Sequence, residues 1–288
     1  ATAARGSRYE AGRSAQRVTA SYVTGSHNFK AGVTMEQAFN DESRTRNNET
    51  DGLNYDFLNG RPLRIQYQAE PFLQQERQNA ELGIFLQDAW TIRRVTLNLG
   101  IRMDYVSMGF PAAELDAGLF VPARQVQELK GVPEWTDINP RFGVAIDVFG
   151  NGRTAVKASV GRFNQLTRSD LTRRFHPFSS SVNTAFRNWN DVNGNYIPDC
   201  VLNNFAQNGE CGAISNQNFG QFIPSATLFD DSVTKDNRDF LWDINVEVEH
   251  QIRDGLSVNV GYNHNWDGSF TVTENTLLGP ESFDEYCI

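Results

Sequence analysis

Lysine is scarce in this chain of 288 residues, standing only at positions 30, 130, 157 and 235. The arginines are scattered and the formal net charge is -9, so the chain carries no basic footprint for nucleic acid, and no aromatic and basic patch replaces one. Long hydrophobic runs are missing too. No stretch approaches the roughly 18 uninterrupted apolar residues of a spanning helix, and a mean hydropathy of -0.49 excludes a helical membrane protein. The first residues, ATAARGSRYEAGRSAQ, lack the apolar core of a signal peptide. Cysteine occurs three times, at Cys200, Cys211 and Cys287, too few for a disulfide scaffold and without metal-ligand spacing. Catalytic constellations are also lacking. His27, His176, His250 and His264 are isolated, and there is no HExxH, phosphate-cradling glycine loop or nucleophile elbow. The expectation is a protein that is not an enzyme.

What the chain does have is alternation. In RRVTLNLGIRMDYVSMG (93–109), Val95, Leu97, Leu99, Ile101, Met103 and Tyr105 fall on one side of an extended chain, and Arg94, Thr96, Asn98, Gly100, Arg102 and Asp104 on the other. The pattern is about twice as long as the usual soluble strand. It returns in DFLWDINVEVEHQI (239–252) and, after the turn RDG, in LSVNVGYNHNW (256–266), which together read as a long hairpin. Further pairs are 16–25 with 27–39, 52–60 with 62–71, 80–90 with 93–109, and 140–150 with 153–163. About ten strands and essentially no helix are expected.

The connections have their own rhythm. Tight turns rich in Gly and Asn fall at 24–27, 59–62, 91–94, 149–153 and 253–255, and polar stretches of unequal length lie between them, the longest about 108–138 and 165–238. Short turns at one end and long loops at the other are the rule in outer-membrane barrels and have no cause in a soluble sandwich. The apolar face would then meet outer-membrane lipid, and the polar face, with carboxylates such as Glu247 and Glu249, would form a hydrated inner wall. Trp90, Tyr105, Phe163, Trp242, Tyr262 and Trp266 lie near strand ends, as interfacial aromatics do, and His250 and His264 fall on the lipid-facing side.

At these residues a family resemblance emerges. LGIFLQDAWTIRRVTLNLGIRMDY (82–105) resembles the barrel signature of TonB-dependent outer-membrane receptors, and NPRFGVAIDVFGNGRTAVKASVGRF (139–163) is similar to the next hairpin of the Oar-like subgroup, which carries a carboxypeptidase-regulatory-like domain. NDVNGNYIPDC (190–200) followed by NGECGAISNQNFG (208–220) resembles an external loop of that subgroup. The likeness runs from about residue 25 to 288. It implies an all-β, antiparallel transmembrane β-barrel segment, about ten strands of a larger barrel of about 22. By that likeness the whole chain, 1–288, is part of a receptor barrel domain, with plug and remaining strands elsewhere. The function implied is uptake of a scarce small ligand such as a siderophore, glycan or peptide, driven by the TonB energy-transducing complex acting through the plug. The ending ESFDEYCI, a polar loop where a complete barrel would close on an apolar strand, also reads as an internal fragment; a small complete barrel is the alternative. A structural or adhesive surface protein is the competing role, and an outer-membrane enzyme the third.

Two loop features carry chemistry. Asp191, Asn193, Asn195 and Asp199 put hard oxygen ligands at alternate positions, as calcium loops do. The EF-hand pattern fails at Tyr196 and Leu202, and a turn held by Asx hydrogen bonds is the other reading. Cys200 and Cys211 flank a polar segment of the longest loop, and outside the cell a disulfide between them would persist. Cys287 is then left to pair beyond residue 288, with three free buried thiols as the alternative.

Overall fold

The computed structural model describes residues 6–45, 53–165, 169–225, 227–279 and 282; Cys287 and its pairing lie outside them. In chain order the strands are β1 (Gly6–Thr24), β2 (His27–Thr45), β3 (Leu53–Leu58), β4 (Arg61–Gln68), β5 (Phe72–Ile92), β6 (Val95–Phe110), β7 (Ala113–Leu115), β8 (Arg124–Val126), β9 (Leu129–Asp147), β10 (Thr154–Asn164), β11 (Thr184–Asn188), β12 (Phe240–Arg253) and β13 (Leu256–Gly268). Two short helices, α1 (Asp170–Phe175) and α2 (Pro177–Ser180), and a π-helical turn (Ser232–Asp236) interrupt the longest connection, where the sequence suggested no helix.

Eight strands form one antiparallel sheet in the order β1-β2-β5-β6-β9-β10-β12-β13. Its hairpins join the segments paired from sequence, with apolar residues in register: Val18 faces Val33, Leu86 faces Ile101, Val156 faces Ile146 and Val248 faces Val260. The sheet is open among the described residues, with β1 and β13 each paired on one side only. Every link between β1–β2, β5–β6, β9–β10 and β12–β13 is tight. Gly25 and Gly255 supply the positive φ their turns need, and the Asp147 carboxylate accepts the N–H groups of Gly150 and Gly152 at 2.9 Å each. The links β2–β5, β6–β9 and β10–β12 all lie at the opposite end and carry the remaining elements.

Two features depart from the sequence reading. The 52–60/62–71 pair forms the expected hairpin, Tyr55 opposite Ile65, but it joins β11 in a separate three-stranded sheet, β11-β4-β3, within the β2–β5 link. At six and eight residues its strands are shorter than the nine to eleven or so that cross a bilayer, and its turn belongs to the long-loop end. The sheet strands also run farther than their apolar stretches. β5 begins at Phe72, ahead of the 80–90 stretch expected as strand, and β6 continues to Phe110. In these extensions Glu42, Gln74 and Glu76 are buried under the loops, which replace water as the partner of the polar face.

Two apolar cores sit in the loop region. One gathers Leu53, Ile65, Tyr67, Ala185, Trp189 and Phe219 between the small sheet and the 200–214 segment; the other gathers Phe72, Phe110, Leu115, Val126 and Phe178 over the sheet's upper end. Nearer the turns one face of the sheet has no cover: Ile84, Leu86, Leu99, Ile101, Phe142, Val246 and Val260 all stand exposed. An apolar face this size, left bare beside two buried cores, marks an interaction surface.

Candidate functional site

The opposite face is polar and internally bonded. Register puts Asp104 beside Asp137 and Arg102 beside Asn139. Asp104 accepts Arg102 Nε at 2.6 Å and Asn139 Nδ2 at 2.8 Å, and Asp137 accepts Arg162 at 3.3 Å with Arg238 Nη1 3.5 Å away. Lower down, Lys157 lies 3.1 Å from Glu249 and 3.8 Å from Glu247. Alternating charges on one face satisfy one another and keep that wall wet.

The β10–β12 connection folds back over this face. Thr172 Oγ1 of α1 donates to Val132 O at 2.7 Å, and Trp135 Nε1 of β9 donates to Val233 O in the π-helical turn at 3.1 Å. On the far side Arg173 reaches Glu76 at 3.2 Å and Glu42 at 4.0 Å, on β5 and β2, while Ser179 accepts from Gln74 at 3.2 Å. The loop thus spans the polar face from β9 to β2. Beneath it opens a cavity of about 610 Å³, lined by Trp135, Phe229, Asp170, Arg174, Arg238 and Asp239. Aromatic faces together with both signs of charge suit a polar organic solute.

His176 fixes the roof's apolar side. Its ring lies 4.5 Å from that of Phe110 and 5.6 Å from Phe178, and its Nδ1 accepts the Phe178 N–H at 3.3 Å. Burial among these rings pushes the imidazole down to about 4. The unfolded chain therefore binds a proton that the folded one refuses, so the stabilisation is complete above about pH 6.5 and is lost as pH falls towards 4, up to about 3 kcal/mol in all. His176→Asn, which keeps an acceptor for Phe178 but cannot charge, is expected to flatten that dependence in pH-resolved limited proteolysis of residues 170–240.

The four predicted loop ligands do come together. Asp191 accepts the N–H groups of Gly194, Asn195 and Tyr196 at 2.8, 3.1 and 2.9 Å, and Asp199 Oδ2 accepts the amides of Asn193 and Asn195 at 2.5 and 3.2 Å. Asn193 Oδ1 and Asn195 Oδ1 accept the N–H groups of Asn195 and Ile197. The loop closes as a run of Asx turns, one of the two arrangements open from sequence. Glu210 is the member that sequence reasoning missed. It accepts from Val192 N at 2.7 Å, Asp199 N at 3.2 Å and Trp189 Nε1 at 3.4 Å, and these donors hold its carboxyl below the ordinary range. Its only signal in the sequence is its place before Cys211.

Cys200 and Cys211 form the expected disulfide, with Cα atoms 5.9 Å apart. Cys211 is buried in the core with Trp189, so the bond ties the exposed loop to packed structure. Replacing both cysteines by serine is expected to cost the loop about 3 kcal/mol. Faster protease cleavage within 190–212, reproduced by reductant on the parent protein, is the check.

Sheet, turns, loops and wall agree with what the family comparison returns: the model of the outer membrane beta barrel domain matches residues 7–269. The chain belongs to this family. No curated protein and no solved structure matches it. In an outer-membrane barrel the uncovered apolar face is the hydrocarbon face and the polar one the lumen. The barrel's aromatics fit two belts. Trp90 stacks with His27 near the turns, and Trp242 with Trp266 at the other level, 5.9 Å apart, with His264 between Tyr262 and Trp266. Phe163 is a correction: it lies on the lumen face under the Arg141 guanidinium, 4.4 Å away, because it shares the side of Gly161, which pairs with Arg141.

Proposed function

We propose that the chain forms wall and outer loops of a TonB-dependent receptor that imports a scarce ligand across the outer membrane. The observation that carries this reading is the roofed lumen, an inner wall of paired charges closed at the long-loop end by a folded connection with a solute-sized cavity beneath it. The motifs at 82–105 and 139–163 add the family likeness, and two sheet edges available for further strands fit a larger barrel. In this reading the barrel is a carrier and not a catalyst, and energy reaches it from the inner membrane through a plug. One observation favours surface adhesion instead: Val192, Tyr196, Ile197 and Val201 stand exposed at the loop tip. Deleting the gene and, separately, disabling TonB distinguishes the two. Loss of the same nutrient uptake in both strains supports import; unaffected uptake with lost surface attachment overturns it.

A further inference from the structure

The lumen face carries a second feature, below the roof. Arg17 of β1, Arg102 of β6 and Arg141 of β9 converge on a cavity of about 160 Å³ walled by Phe85, Gln87 and Gly100. Register brings them together: Phe85 pairs with Arg102, and Gly100 pairs with both Gln87 and Arg141. Gly83 allows the close fit, since a Cβ there would lie 1.9 Å from Arg102 Nη2. Among the described residues no carboxylate lines the cavity. Arg102 is neutralised by Asp104, but neither Arg17 nor Arg141 has an acidic partner among the described residues. Their guanidinium groups rest on rings instead, Arg17 over Phe85 at 5.9 Å and Arg141 over Phe163 at 4.4 Å. Nε of Arg141 is buried and has no hydrogen-bond partner.

A buried guanidinium N–H without an acceptor destabilises a fold; here it is Nε of the half-buried Arg141, and the exposed Arg17 beside it adds a second cation without an acidic partner. Both are explained if the acceptor is a ligand. We propose that this cavity is a binding site for a small oxyanion, the phosphate or carboxylate group of a diffusible solute in the lumen. Planar guanidinium forks match the oxygens of such a group two at a time, and the flanking rings hold the forks in place without competing for their N–H groups. Gln87 supplies a neutral donor beside them. The site requires only the polar lumen face, so it stands apart from TonB-driven import, and an adhesion protein would hold it equally.

The test is isothermal titration of inorganic phosphate into the full-length protein purified from outer membranes in detergent, with folding of every variant checked by its heat-modifiable gel mobility. Saturable binding is expected, with Kd raised about tenfold or more by Arg141→Gln and by Arg17→Gln, and by less than that by Arg141→Lys. Gly100→Leu leaves all three arginines in place and fills the cavity, its new Cβ meeting its nearest neighbours at 3.7 Å, and should abolish binding. Lys157→Gln, on the same face beside Glu249, should change nothing. Three results overturn the proposal: no saturable binding to the parent protein, equal binding by Arg141→Gln and Gly100→Leu, or an equal loss in Lys157→Gln, which would signify general attraction to a basic wall.

Discussion

Ile101→Arg should destabilise the folded barrel by roughly 2 to 4 kcal/mol, while Asn98→Arg, three residues away on the same strand, should be tolerated. Ile101 stands half exposed on the apolar face, six residues from the tight turn and so close to mid-membrane, where a guanidinium has neither water nor a counter-ion. Asn98 points the other way, beside Gly143, into a groove of about 420 Å³ that has room for the longer side chain and water to solvate it. Urea titration in lipid vesicles, followed by tryptophan fluorescence, measures both. Equal losses at the two positions would mean that both faces are packed and would remove the membrane-spanning assignment.

Arg187→Met should unfold the outer loop unit and leave the sheet standing. Arg187 is fully buried in β11, where Nε donates to Gly212 O at 2.7 Å, Nη1 to Asn204 O at 3.0 Å and Nη2 to Ala206 O at 3.0 Å. Tyr67, whose hydroxyl donates to Leu202 O at 3.1 Å, completes the clasp around the disulfide loop. Methionine fills the volume and strands three carbonyls, at about 1 to 3 kcal/mol each where water cannot reach them. A loss on the order of 4 kcal/mol exceeds what the disulfide supplies, so proteases should cut 190–214 even with Cys200–Cys211 intact. Arg187→Lys, with one ammonium where a fork spanned three acceptors, should recover only part. A variant as resistant as the parent would show that the loop is held by its apolar core alone.

What the sequence disclosed, and what it hid, follows from how each feature is encoded. The membrane face was legible because alternation along one strand is a local property: Leu99 and Ile101 need no partner to be recognised. The β3–β4 hairpin was misplaced because its alternation is equally real; Tyr55 and Ile65 face a protein core instead of lipid, and period alone cannot name the solvent. Strand length was underestimated because β5 turns polar on both sides at Gln74–Gln78 once the loops, and no longer lipid, become its neighbours. The disulfide could be read from its polar flanks and compartment. Arg187 could not, since an arginine solvated by backbone carbonyls leaves no charge partner to find, and the meeting of Arg17 with Arg141 exists only through the register of the strands between them.

β5 has 21 residues, about 70 Å of extended chain, in a membrane whose apolar band is about 25 Å tall. Even steeply tilted, such a strand carries much of its length past the headgroups, and β1, β2 and β9, with 19 residues each, go with it. The loop unit is thus mounted on a rigid collar that lifts it clear of the bilayer. To a large object approaching from outside, an antibody or another cell's surface, the molecule presents a raised platform first and the membrane-spanning sheet only beneath it.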